Sequence, residues 1–189
     1  MIYNPDGQFD AVIRLTMIVA ILVVGCSSYQ DLVYGTRGYT TRLPREAPVY
    51  VAVPKDAPIS YSSGKTGDTG GTFPQSGQST AEVIVGAFAK RASRVQLAPE
   101  TQSLADALKQ AKTDGFKVLV WPTLIHWTDR SEHRRDQIVV KLVLYDTGTR
   151  KALDSVTIRA KSVKSALASP KELLSDPVSD YVDSLYFGT

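Results

Sequence analysis

The sequence predicts an α/β (α+β) domain of two layers, in the order β-α-β-α-β-β-β-α, with helices on one face of a mixed sheet. Three observations carry this. Residues 116–127 (FKVLVWPTLIHW) are apolar at almost every position, as in a central strand buried on both faces. Residues 137–146 and 151–162 alternate apolar and polar around a Thr147-Gly148 turn, as in a hairpin covered on one face. Segments of helical periodicity with start signals lie before and after these strands.

The elements follow in order. Val49–Val53 is a short strand closed by Pro54. The first helix is expected from Ser79, where Ser79 and Glu82 have the spacing of a capping box. Its buried face would carry Ala81, Ile84, Val85, Phe88 and Ala92. Val95–Ala98 is a second short strand. The second helix follows Ser103, with Asp106 three residues on and Gly115 suited to its C-terminal cap. After Phe116–Trp127 come the polar turn TDRSEHRRD and the strand Gln137–Asp146, with Ile138, Val140, Leu142 and Leu144 on one face. The return strand spans about 151–162. Ser169-Pro170-Lys171-Glu172 opens the last helix, with proline at the first helical position, where no N–H is needed. Asp176-Pro177 is read as a restart of that helix, and Val178, Val182, Leu185 and Tyr186 as its buried face.

The chain has 189 residues, 43% hydrophobic and 22% charged, with a formal net charge of +3. The composition is that of an ordinary globular domain. The small positive excess is dispersed, with one short cluster at 133–135, so no nucleic-acid partner is expected. A single cysteine, Cys26, excludes an internal disulfide.

Cys26 follows the apolar run LTMIVAILVVG, bounded upstream by Arg14. Eleven residues are too few for a bilayer-spanning helix, which needs about 20, but they match the apolar part of a secretory signal. Val23-Val24-Gly25-Cys26 resembles the bacterial lipobox. That resemblance implies cleavage after Gly25 and a thioether-linked diacylglycerol on Cys26. With the new amine acylated as well, the chains would hold the protein on a bilayer, since each buried methylene contributes about 0.8 kcal/mol. The lead MIYNPDGQFDAVIR is acidic for a signal peptide, and a start at Val12 would give the basic opening that such peptides have. Ser27 and Ser28, in place of an Asp after the cysteine, resemble outer-membrane sorting.

The organisation expected is therefore a signal peptide (1–25), a lipidated cysteine with a tether (26–48) and a single periplasmic domain (49–189). Tyr29, Tyr34 and Tyr39 fall in the tether. The domain would carry a mobile polar loop at 54–78, rich in Gly, Ser, Thr and Pro. Three stretches, GFKVLVWPTLIHW, KLVLYDTGTRKALDSVTIRAKS and SPKELLSDPVSDYVDSLYFG, together with the lipobox, resemble a proteobacterial lipoprotein family defined as a domain of unknown function. The likeness covers about residues 20–189. More distantly, the element order is similar to the curli-secretion lipoprotein, to the amino-terminal domain of the Tol-system translocation protein and to the outer-membrane activators of penicillin-binding proteins. These resemblances imply work by protein contact rather than catalysis.

Motifs for chemistry are sparse. SSGKTGDTGG at 62–71 evokes a phosphate loop, but Ile59 stands where that pattern requires glycine. His126 and His133 are the two histidines; with Asp129 and Glu132 they would be scattered over a strand end and a turn, so no metal or cofactor beyond the covalent lipid is expected. A hydrolase using His126 or His133 is the competing reading. The favoured one is a non-catalytic, outer-membrane-anchored domain that binds an envelope protein or peptidoglycan, with a secretion or transport subunit as a further alternative. The candidate surface is the sheet face opposite the helices: Lys141, Tyr145, Arg159 and Lys161, together with Trp121 and Trp127, which even spacing puts on one face of their strand.

Overall fold

The computed structural model describes residues 29–34, 42–44, 46–58, 72–128, 136–162 and 169–187. Six strands form one mixed sheet: β1 (Tyr29–Tyr34), β2 (Val49–Val51), β3 (Val95–Leu97), β4 (Val118–Thr128), β5 (Gln137–Asp146) and β6 (Ala152–Lys161). Three helices accompany it: α1 (Ser76–Phe88), α2 (Leu104–Thr113) and α3 (Pro170–Phe187). Across the sheet the order is β1-β6-β5-β4-β2-β3. β2 runs parallel to β3 and β4, whereas β4, β5, β6 and β1 are antiparallel in succession. The α/β class, the mixed sheet and the order from β2 onward are those the sequence predicts.

The strand β1 is an addition. It lies in the segment read as a tether and pairs along β6 from Tyr29 opposite Lys161 to Tyr34 opposite Val156. Nor does the packed unit start at Val49. Leu43 is buried, and its N–H donates to the Leu185 carbonyl at 2.8 Å. YQDLVY was missed because its one charge, Asp31, and its flanking glycines read as loop, while the pairing that orders it comes from a strand more than a hundred residues away.

α1 and α3 pack on each other and cover one sheet face. Ala81, Ile84 and Phe88 of α1 and Leu174, Val178, Tyr181 and Val182 of α3 are buried there against Ile138, Val140, Leu142, Leu144, Val156 and Ile158. The alternation read in β5 is thus observed at every position of its apolar face. α2 occupies the other side, so the expectation of helices on one face holds for α1 and α3 and not for α2. The β3–α2–β4 connection steps back across β2, and a right-handed crossover carries it to the face opposite α1. Tyr50 and Leu119 point to that face and are fully buried. The Tyr50 ring meets Phe116, just past α2, edge-on at 5.5 Å, and the Arg94 guanidinium caps the Phe116 ring at 4.1 Å. The sheet is therefore covered on both faces at its parallel end and on one face at its antiparallel end.

Two helix starts agree with the sequence and one does not. Ser103 Oγ accepts the Asp106 N–H at 3.2 Å. At α3 the box is reciprocal: the Glu172 N–H donates to Ser169 Oγ, and the Ser169 N–H to the Glu172 carboxylate. Gly115, at φ 78°, closes α2 as expected, with Phe116 N–H bonded to the Ala111 carbonyl. α1, however, begins at Ser76, one turn before Ser79. Its cap comes from Asp56, whose carboxylate accepts the N–H groups of Gly77 (2.8 Å) and Gln75 (3.1 Å). Glu82, expected in a capping box, reaches instead to Lys171 of α3 at 2.8 Å. Pro177 does not divide α3, which continues through it. Pro177 gives up one helical hydrogen bond, and the buried row Leu173, Leu174, Val178, Tyr181 and Val182 keeps both halves on the core.

Candidate functional site

Cys26 and residues 1–25, read above as a signal peptide, lie outside the described residues, as do His133, Asp129, Glu132, Tyr39 and the phosphate-loop-like stretch 62–71. No helix among the described residues is long and apolar enough to cross a membrane. Among them, too, no group of three His, Cys, Asp or Glu side chains converges as a metal site would require. His126, half-buried on β4, shares a 2.7 Å hydrogen bond with the Thr128 hydroxyl.

The open sheet face is built by the alternate residues of β4, β5 and β6. Lys141, Arg159 and Lys161 are exposed on it, and Trp121 and Tyr145 are half-buried. Register joins them: Trp121 stands opposite Val143, Lys141 opposite Thr157, and Val139 opposite Arg159. β1 extends the sheet beyond them and brings Asp31 into register with Arg159. On β4, β5 and β6 the face carries three cations and no carboxylate; Asp154 of β6 is turned to the helical layer, where it accepts a hydrogen bond from Tyr181. Burial there pushes the Asp154 carboxyl above its ordinary range.

Trp127 does not belong to this face. The register of β4 against β5 slips between Leu124 and His126, a β-bulge that inserts one residue. Beyond it the strand's alternation is reversed, so Trp127 stands opposite Ile138 and is buried, 8% exposed, with the helical core. Spacing of six puts two residues on one face only in an unbroken ladder. The residue at the bulge, Ile125, is 50% exposed.

A second feature, which sequence reasoning did not find, is a cleft of about 370 Å³ at the carboxyl ends of the parallel strands. One wall is the chain leaving β2, from Val53 to Asp56, and the other is the run Trp121–Leu124 of β4; Thr101 and Gln102, after β3, close it. Connections leave β2 and β3 in opposite directions here, which opens a crevice in an α/β sheet. Its volume is in the range of small-ligand pockets. The wall at Val53–Asp56 is fixed by the Asp56 cap on α1 and by the Ala57 N–H, which donates to Ser76 Oγ at 2.9 Å.

Against this geometry, known proteins can be compared. The model of a family described as a domain of unknown function (DUF4823) matches residues 41–185. The chain belongs to this family. The DUF4823 match begins two residues before Leu43 and ends at Leu185, so it spans β2 to α3 and leaves β1 outside. No curated protein matches the chain. Among solved structures, it is similar to a PelC dodecamer from Paraburkholderia phytofirmans, at 16% identity and a TM-score of 0.54, over 84% of this chain and 94% of that one. Lipoprotein GNA1162 from Neisseria meningitidis is similar at 14% identity and a TM-score of 0.48, over 74% and 97% of the two chains. A DUF330 protein from Xanthomonas campestris, XCC0632, is similar at 12% identity and a TM-score of 0.48, over 79% and 87%. The PelC likeness is one of fold.

Proposed function

We propose that this DUF4823 protein is a lipid-anchored component of the bacterial envelope, held through Cys26 at the periplasmic face of the outer membrane, whose domain works as a non-catalytic binding module. The observation that carries the reading is the open face of β4, β5 and β6. There Lys141, Arg159 and Lys161 are exposed on the same face as the half-buried Trp121, Val143 and Tyr145, on a sheet whose other face carries α1 and α3. Aromatic and arginine side chains on a rigid support are what protein interfaces enrich. A sheet half-covered by its own helices presents them without ordering cost at the moment of contact. The anchor rests on the lipobox and its apolar lead.

The test is made in cells of the native host. Radiolabelled palmitate is expected to enter the wild-type chain and not Cys26→Ala. A photo-crosslinking side chain at Lys141 or Arg159 is expected to trap one defined envelope partner, and the same group at Lys109, on the exposed side of α2, to trap none. Equal crosslinking from all three positions sinks the reading. A second reading, a subunit of a larger envelope assembly, draws support from the fold shared with a PelC dodecamer; a crosslink between two copies of this chain at those positions would select it.

A further inference from the structure

The cleft meets β4 edge-on. Four consecutive residues, Trp121 to Leu124, line it, although their side chains alternate between the two sheet faces. A cavity lined by consecutive residues of a strand borders the main chain. Printed on the ladder is the direction of those main-chain groups: the Val118 N–H donates to the Pro48 carbonyl and the Val120 carbonyl accepts the Ala52 N–H, so even-numbered residues of β4 face the β2 side. Successive residues of a strand direct their main-chain groups to opposite sides, so the odd-numbered ones of β4 face β5. β2 pairs with β4 from Val118 to Val120, and among the described residues no strand continues that pairing although β4 runs on to Thr128. Pro122 and Leu124 therefore direct two carbonyls and one N–H at the cleft. Pro122 fits this side because it has no N–H to satisfy.

We infer that the cleft takes a short extended peptide segment, which adds to β4 as a strand in the line where β2 leaves off. Alternating main-chain groups that no described strand pairs are suited to recognise another main chain. The site is continuous with an existing ladder, so the added strand inherits the position and spacing that β2 sets. Trp121 flanks it on the open face and offers an apolar contact for one side chain in two. The bulge after Leu124 ends the regular edge, which limits the paired stretch to a few residues and protects the rest of β4 from indiscriminate pairing. This site is separate from the three cations of the open face, and its failure leaves the reading of that face untouched.

The experiment selects a phage library of random linear peptides on the full-length protein in detergent, then scans a selected peptide with N-methyl groups one residue at a time. Strand addition predicts that methylation at alternate positions weakens binding by about tenfold or more while the positions between tolerate it. Leu124→Pro, which removes the edge donor, is expected to lower the affinity as well; Trp121→Ala is expected to change which side chains are selected. Because Leu124 is buried and its proline variant risks misfolding, the N-methyl scan on the wild-type protein decides alone if that variant does not fold. A library that yields no binder, or a scan without the period of two, overturns the inference.

Discussion

The two ends of the sheet use the same strand, β4, in opposite ways. At the parallel end Val118, Leu119 and Val120 are all buried, with Tyr50 and Phe116 packed above them and α1 below. At the antiparallel end β4 alternates: Leu124 and Trp127 are buried, while Thr123 and Ile125 are exposed. Covering both faces makes a strand stable and leaves it nothing to present. Covering one gives a rigid surface whose outer residues are free to vary in chemistry. Stability and recognition are thus assigned to different halves of one fold, and that division can be attacked residue by residue.

The largest effect is expected at the parallel end. Phe116→Ala removes the ring that Tyr50 and Arg94 pack against and opens a cavity beneath α2. It should cost about 3–5 kcal/mol in urea unfolding. Arg159→Ala, on the open face, should stay within about 0.5 kcal/mol. Equal losses at the two positions would break the division.

The tryptophans sharpen it within β4. Trp127→Ala should approach the cost of a buried aromatic, about 3 kcal/mol or more. Trp121→Ala should cost clearly less, because its indole is half-exposed at the rim of the cleft. Without the bulge both would face the same way and their costs would converge, so the ratio of the two unfolding energies measures the bulge directly.

That pair also shows how far the sequence could be read. Local signals were legible: the serine caps of α2 and α3, the glycine that ends α2, and the alternation along β5. Each depends on residues within a few positions of one another. What was not legible depends on pairing at a distance. The bulge in WPTLIHW is a register shift against β5 and has no spelling of its own. Asp56 caps a helix that starts twenty residues later. β1 is ordered by β6, and the cleft exists because β2 stops while β4 continues. The placement of Lys141, Tyr145, Arg159, Lys161 and Trp121 on one face follows from simple alternation, whereas that of Trp127 rests on an alternation that the bulge breaks.

Asp56 offers the next test. Its carboxylate satisfies two N–H groups at the start of α1 and holds the wall of the cleft. Asp56→Ala should lower stability by about 1 kcal/mol, the usual value of a lost N-cap. Gly77→Ala should disturb the same contact from the other side, because a Cβ there would lie 2.2 Å from the Pro54 carbonyl oxygen. Amide exchange at Gly77 and Ala57 should quicken in both variants and stay unchanged on β5. Spread of the change into β5 would mean that the two ends unfold as one unit.

The smallest effect concerns what ties the ends together on the surface. Lys171 at the start of α3 meets Glu82 of α1 at 2.8 Å, with both side chains about half-exposed. Hydrogen bonding from Lys171, then from Gln78, holds the Glu82 carboxyl below its ordinary range. A carboxyl lowered on folding stabilises above its unfolded pKa, and that contribution fades as pH falls through the folded one. In a double-mutant cycle of Glu82→Gln and Lys171→Met, the coupling near pH 7 should be about 0.2–1 kcal/mol, and it should shrink in high salt and in acid. The α1–α3 contact would then be held by Phe88, Leu174, Val178 and Tyr181 beneath the pair rather than by the pair itself. A coupling of several kcal/mol, or one indifferent to pH and salt, would reverse that order and make the surface link the joint between the stable end and the presenting end.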